Sequence, residues 1–194
     1  MEVIREVTDK DIIGLEEKSK RQPKISARAV LFDETGNIAL MHVKKKYAYT
    51  FPGGGIEEKE TITEGLLREI LEETGCNCEI LCKIGIISEN RAQHDFTQIS
   101  HYYLAYVVGN KGKANLTKSE LENANEVIWL SPKECISTIT NQVPINYQFS
   151  FIKERDLAIF NYLLNVESES RSIYERMIHN ERNVENARVV ISNT

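Results

Sequence analysis

Apolar positions along the chain recur at two spacings, and the places where one gives way to the other divide it into elements. MEVIREV is strand-like, a helix is expected after Thr8, and the polar KSKRQP completes a leader over residues 1–23. ISARAVLFD and NIALMHV then flank the turn-rich Glu34-Thr35-Gly36-Asn37, which predicts a β-hairpin. The basic, aromatic loop KKKYAYTF leads to a turn at Pro52-Gly53-Gly54-Gly55. TITEGLLREILEET reads as a helix, with Thr61 and Glu64 forming a capping box and Gly75 as the C′ stop. CEILCKIGIIS and ISHYYLAYVVG read as strands separated by the polar ENRAQHDFTQ, and EVIWL is a further strand after an acidic loop. SPKECISTI has the marks of a helix start, with Ser131 as N-cap, Pro132 in the first turn and Glu134 at the capping-box position. In QFSFIKERDLAIFNYLLNV, residues Phe149, Ile152, Ile159, Phe160, Leu163 and Leu164 fall near helical spacing, so this helix should pack on the sheet. Residues 166–194 are charged and sparsely apolar, which leaves open a docked helix with a short strand or a loose tail. The expected organisation is a leader over 1–23, one domain over 24–165 and an extension over 166–194.

Composition narrows the classes of partner. The 194 residues carry 24 Lys and Arg against 29 Asp and Glu, a net charge of −5, with no polybasic block. That argues against nucleic acid or an anionic membrane as the main partner, but not against a small phosphate-bearing ligand met by a local site or a metal. The N-terminus has no apolar core of signal-peptide length, and the longest apolar stretch, residues 102–108, is far short of the ~18 residues of a membrane span. The expectation is a cytoplasmic protein with reduced thiols at Cys76, Cys78, Cys82 and Cys135. Cys76, Cys78 and Cys82 share parity and on a regular strand would face one way, an arrangement open to a soft metal. Without a CxxC pair or a matching His cluster, small half-buried side chains are the simpler reading.

The helix over 61–74 carries the unusual charge. At about 100° per residue, Leu66, Leu67, Ile70, Leu71 and Thr74 cluster on one side, and Glu69, Glu72 and Glu73 gather opposite them. Arg68 is the helix's one cation, and acidic residues near a helix C-terminus oppose the dipole. A solvated acidic face is the bland reading. A hard divalent cation preferring oxygen ligands is the functional one, Mg²⁺ first and Mn²⁺ next.

The run Gly54-x5-Glu60-x7-Arg68-Glu69-Ile70-x-Glu72-Glu73-x-Gly75-Cys76 resembles the signature of the Nudix hydrolases, G-x5-E-x7-R-E-U-x-E-E-x-G-U, where U is bulky and aliphatic. Cys76 in the final aliphatic position is the one soft departure, and Cys behaves as a small hydrophobe. The elements around the box agree with that family's fold, an α/β sandwich in which a mixed sheet lies between helices.

The resemblance implies hydrolysis of a pyrophosphate linkage in a nucleoside diphosphate joined to another moiety, with Mg²⁺ or Mn²⁺. Carried over by position, Glu69, Glu72 and Glu73 are the implied metal ligands and Arg68 orients a glutamate. Glu60 supports the loop–helix junction or the outer shell. A carbonyl of the glycine turn, at Gly53, is implied as a further ligand, and Gly54 lies where backbone approaches substrate. Lys44, Lys45 and Lys46 with Tyr47 and Tyr49 suit phosphate and a stacked base, or equally a solvated charge run; Lys44, Lys46 and Tyr49 are the substrate-side candidates. Glu89, Glu120, Glu122 and Glu126 are candidates for a general base, with His94 and His101 behind them. Arg91, Ala92 and Gln93 occupy the region where a Pro or Tyr marks ADP-ribose or dinucleoside polyphosphate hydrolases, which demotes those substrates. A housecleaning (deoxy)nucleoside triphosphate pyrophosphatase and a non-catalytic nucleotide sensor are the alternatives. Similar proteins are often homodimers, and the terminal segments offer an interface.

Overall fold

The computed structural model describes residues 2–165, so the expectations for residues 166–194 lie outside the described residues. The chain runs through β1 (Val3–Thr8), α1 (Asp9–Ile13), β2 (Lys24–Phe32), β3 (Ile38–Val43), β4 (Ala48–Thr50) and β5 (Gly53–Gly55). It continues through α2 (Ile62–Thr74), β6 (Asn77–Arg91), β7 (Phe96–Val108), α3 (Lys118–Glu122), β8 (Asn125–Leu130), α4 (Pro132–Asn141) and α5 (Tyr147–Asn165). Eight strands form one mixed sheet in the order β1-β6-β7-β2-β3-β4, with β5 paired to β2 and β8 to β3. β1 runs parallel to β6 and β7 parallel to β2, while the remaining ladders are antiparallel.

The expected hairpin of β2 and β3 is shorter than its apolar pattern suggests, because the two strands meet in one register pair, Phe32 with Ile38, and then part. β3 takes β4 and β8 as partners. The edge of β2 thereby left free at residues 26–28 accepts Gly53–Gly55 as an antiparallel strand. The expected glycine turn is thus a strand, and of its three glycines only Gly53 has positive φ, at 128°. The loop before it also contains a strand, β4, after a 3-10 turn over Lys44–Lys46. The acidic loop contains α3, started by a capping box of Thr117 and Glu120.

Period-two alternation gives the sheet two buried faces. Ala27, Ala29 and Leu31 of β2 join Tyr103, Ala105 and Val107 of β7 beneath Leu66 and Ile70 of α2. Val30, Phe32, Tyr102 and Leu104 point to the other face, beneath Cys135 and Ile139 of α4 and Phe151, Ile159 and Phe160 of α5. Helices on both faces of a mixed sheet are the expected architecture. The parity argument for the cysteines fails at a bulge. The β6–β7 register shifts between Ile80 and Cys82, so Cys78 packs with the α2 core and Cys82 with the α5 core.

α5 differs from its apolar pattern. Leu164 is exposed, while Arg155 and Asp156 are fully buried. Two buried charges are tolerated only when paired and hydrogen-bonded. Asp156 accepts from Tyr102 Oη at 2.6 Å, Arg155 Nε at 2.9 Å, Thr50 Oγ1 at 2.7 Å and the Phe51 amide at 3.3 Å. α5 therefore grips β4 and the residue after it, immediately ahead of the glycine strand. Asp156→Ala strands all four donors and is expected to cost about 3–5 kcal/mol. Thr61→Ala, which removes the α2 cap, is expected to cost about 1 kcal/mol. Denaturant midpoints compare the two, and equal losses would contradict the assigned role of Asp156.

Candidate active site

α2 is placed by its ends. Thr61 accepts from the Glu64 amide, Glu64 accepts from the Thr61 amide at 2.8 Å, and Gly75 closes the helix at φ 70°. Leu66 and Ile70 seat it on the sheet, and the 100° step then turns Glu73, 8% exposed, inward as well. The apolar and acidic sides are accordingly not opposed as the pattern suggested. Leu67 and Leu71 lie on an exposed flank, and Glu73 shares the buried side.

The three carboxylates meet the glycine strand and Arg68. Glu73 Oε2 accepts from the Gly53 amide at 2.7 Å. The Glu69 carboxylate lies under Gly54 so closely that a Cβ there would stand 2.5 Å from it. Arg68 Nη1 donates to Glu69 at 2.9 Å and to Glu72 at 3.0 Å. Its Nε donates to Glu60 at 2.7 Å and its Nη2 to the Gly55 carbonyl at 3.0 Å. Glu60 also accepts from the Glu57 amide, tying the loop to the helix. The Gly53 carbonyl accepts from Arg28 Nη1 at 2.8 Å. Arg28 was not singled out in the sequence, where the only trace of it is one charge inside the apolar run of β2.

The remaining predicted residues fall into separate groups. Lys44 pairs with Glu126 at 2.6 Å, His42 stacks on Tyr49 with ring centroids 4.4 Å apart, and no hydrogen bond or ion pair among the described residues links this group to the α2 carboxylates. Lys45 and Tyr47 are exposed and Lys46 is half-buried beside them. Glu89 is sealed at 0% exposure against Arg91 at 2.6 Å and Arg155 at 3.5 Å. His94 packs edge-on against Tyr147, and His101 is half-buried in β7. Glu122 lies 4.0 Å from Lys118 on the surface of α3. The loop leading to Glu120 is fastened to the end of α2, since Gly112 donates to the Gly75 carbonyl at 2.9 Å and Asn115 to the Glu72 carbonyl at 2.7 Å.

Electrostatics separate the carboxylates. Burial pushes the Glu73 carboxyl up to about 8 against the opposing pull of the Gly53 amide and Arg28, with the charges of Glu69 and Glu120 adding to the rise. Burial also raises Glu69, although Arg68 opposes it. Arg68 in contrast holds Glu60 below its ordinary value. Among the described residues no three His, Cys, Asp or Glu side chains stand gathered to hold a metal ion, and Arg68 donates to both Glu69 and Glu72. The donor set nevertheless fits a hard divalent ion. It is all oxygen, it lies on one helix, and Glu73 is a desolvated carboxyl with one amide for company.

The raised Glu73 carboxyl has a signed consequence for stability. It favours the fold while protonated, fully so below the ordinary value of 4.5, and this contribution is lost as pH rises through about 8. The chelator-treated protein should lose stability across that window, by about 1.4 kcal/mol for each pKa unit displaced. Glu73→Gln should flatten the curve, and parallel denaturation curves for the two proteins would refute the assignment. Gly54 gives a second check. An added Cβ meets only the far end of the Glu69 side chain, so Gly54→Ala should fold with nearly unchanged melting temperature. Calorimetric Mg²⁺ titration should show affinity reduced at least tenfold, within the range of changes to the support of a metal site.

The chain resembles known proteins in sequence and in fold. Residues 22–150 match the family model of the NUDIX domain. Over 106 residues the chain is 28% identical to the "Putative 8-oxo-dGTP diphosphatase" of Bacillus subtilis (strain 168), covering 55% of this chain and 65% of that relative. The chain thus spans somewhat less than two thirds of the relative's length. Among solved structures it resembles a UDP-X diphosphatase at TM-score 0.52 and 17% identity, covering 74% of this chain and 64% of the other. It also resembles a NUDIX hydrolase from Nitrosomonas europaea at TM-score 0.52 and 19% identity, covering 69% and 88% of the two chains. At those identities the solved structures speak for the fold. The family match takes in more than half of the chain and encloses the complete box from Gly54 to Cys76, and the chain belongs to the Nudix family.

Proposed function

We propose that this protein is a divalent-metal-dependent diphosphatase that hydrolyses a phosphoanhydride linkage in a nucleotide derivative, a nucleoside diphosphate joined to another moiety. The observation that carries this reading is the convergence of Glu69, Glu72 and Glu73 on Arg68 and the glycine strand, with Glu73 buried and raised to about 8. Glu69, Glu72 and Glu73 would hold Mg²⁺ or Mn²⁺. The ion, when bound, offsets phosphate charge and lowers the pKa of a water. The chain's own residues set the geometry. Arg68 aligns Glu69 and Glu72, Glu60 anchors Arg68, and the Gly53 amide fixes Glu73.

Glu120 is the proposed general base. Its charge is felt at Glu73, and its loop is tied to the end of α2. Among the described residues its Oε2 alone is engaged, by the Thr117 amide and hydroxyl at 2.7 Å each. Glu89 and Glu126 are held by cations instead. The likeness to the Bacillus subtilis protein favours a second reading, a nucleoside triphosphate as substrate with inorganic pyrophosphate as product. A non-catalytic sensor is disfavoured, since ligand binding alone does not require this full carboxylate set.

A panel of nucleoside triphosphates, nucleotide sugars, ADP-ribose and dinucleoside polyphosphates with Mg²⁺, followed by ³¹P resonance, tests the reading and reports which bond breaks. Glu72→Gln should lower kcat by about a hundredfold or more on any substrate turned over, as loss of transition-state charge stabilisation does. Turnover of the native chain no faster than that variant on every substrate would count decisively against a hydrolase.

A further inference from the structure

The α5 face of the sheet holds a second concentration of charge, at a cavity of about 260 Å³. Arg28 of β2, Arg91 at the end of β6, Phe96 and Gln98 of β7, and Ile152 and Arg155 of α5 line it. The carboxylates that serve these arginines, Glu89 and Asp156, are each 0% exposed. Three guanidinium groups stand against two carboxylates, with Arg91 paired to Glu89 at 2.6 Å, Arg155 to Glu89 at 3.5 Å and Arg155 to Asp156 at 2.9 Å.

The donors outnumber the acceptors. A guanidinium carries five N–H groups. Among the described residues Arg28 donates only from Nη1, to the Phe51 and Gly53 carbonyls at 3.1 and 2.8 Å, and Arg91 only from Nη2. The Nε groups of both are buried with no hydrogen-bond partner. Arg91 is 6% exposed, and its guanidinium lies 4.9 Å from the Phe96 ring and 5.3 Å from the Phe151 ring, so it is fixed in place as well as desolvated. Buried donors without acceptors are costly, and fixed guanidinium groups match the several oxygens of a phosphoryl group. The cavity is smaller than the ~300–1,000 Å³ of clefts that take whole ligands, so its occupant is one moiety.

We propose that this cavity is an anion subsite that takes a phosphoryl group of the substrate other than the linkage being hydrolysed, held by Arg28, Arg91 and Arg155. The assignment rests on reading the adjoining box as a diphosphatase site, and Arg28 joins the two by holding the Gly53 carbonyl. It makes substrates bearing an additional phosphoryl group the preferred class.

Two measurements test it. In the first, the ¹⁵N-labelled full chain, treated with chelator, is titrated with inorganic phosphate, with sodium chloride at matched ionic strength, and with adenosine. Saturable movement of the Arg28 and Arg91 Nε–H resonances with phosphate alone is expected. No movement beyond that of chloride, or movement with adenosine only, overturns the proposal, and neither outcome depends on hydrolysis. In the second, kcat/KM with Mg²⁺ is compared within pairs that differ by one phosphoryl group, dGTP with dGDP and ADP-ribose with its 2′-phosphate. The more phosphorylated member of at least one pair should be preferred. Arg91→Lys should reduce kcat/KM for that member by about tenfold and for its partner by less than twofold, the scale of one charge-assisted hydrogen bond. Equal losses, or no preference in the native chain, overturn the subsite. If the native chain turns over no member of either pair, the phosphate titration alone decides the cavity, and the diphosphatase reading stands or falls separately on the full substrate panel.

Discussion

The close approach of Gly53 to β2 is the constraint on which the rest of the site depends. A Cβ on Gly53 would stand 2.2 Å from the Ala27 carbonyl oxygen, and its φ of 128° is one that residues with side chains rarely adopt. Only a glycine lets the strand lie flat against residues 26–28. Once it does, its amide meets Glu73 from one face of the sheet and its carbonyl meets Arg28 from the other. The same pairing carries Gly54 over Glu69 and Gly55 to Arg68. A three-residue strand thus sets the positions of a carboxylate cluster and of a guanidinium that enter from opposite sides.

Buried charge in α5 supports this strand from behind. Asp156 collects Thr50, the Phe51 amide, Tyr102 and Arg155, so the segment entering the glycine strand is held from its side chains and from its backbone. A network of this kind adds little net stability compared with an apolar core of equal volume, but it is costly to leave half made. Here the specificity it provides is positional: it fixes where Phe51 and Pro52 deliver the chain to β2.

What could be read from the sequence follows the range of the interactions involved. The capping boxes at Thr61 and Ser131, the Gly75 stop and the run of carboxylates on α2 are local, and the first three appear where expected. Contacts that join distant segments were not legible. Gly53–Gly55 has the composition of a turn, and it is a strand because β3 leaves β2 after one register pair. The inward turn of Glu73 depends on which edge of α2 meets the sheet, and a helical wheel alone does not supply that edge. Cys78 and Cys82 part company at a bulge, where period two breaks down. The arginines of the cavity come from β2, β6 and α5, and no short motif contains any two of them; the visible sign was a charge in an apolar strand at Arg28 and an Arg-Asp pair within the apolar spacing of α5.

The two sides of the sheet also carry opposite excesses of charge. On the α2 side Glu60, Glu69, Glu72 and Glu73 gather around one guanidinium, Arg68; on the α5 side Arg28, Arg91 and Arg155 stand with two carboxylates, Glu89 and Asp156; and Gly53 is bonded to Glu73 from one side and to Arg28 from the other. A polyphosphate ester presents two demands that one cluster of either sign could not meet. Its reacting linkage requires dense positive charge that can also activate water, which anionic ligands supply by concentrating divalent cations. Any further phosphoryl group requires fixed donors that compete with water for its oxygens, which buried guanidinium groups supply directly. Placed side by side without a partition, the two clusters would neutralise each other as ion pairs, as Arg68 does with Glu60, Glu69 and Glu72. With a β-sheet between them they are bridged by hydrogen bonds at one peptide unit, that of Gly53, and each side keeps an excess of its own sign. A net charge of −5 records the sum of these two environments and is blind to their separation.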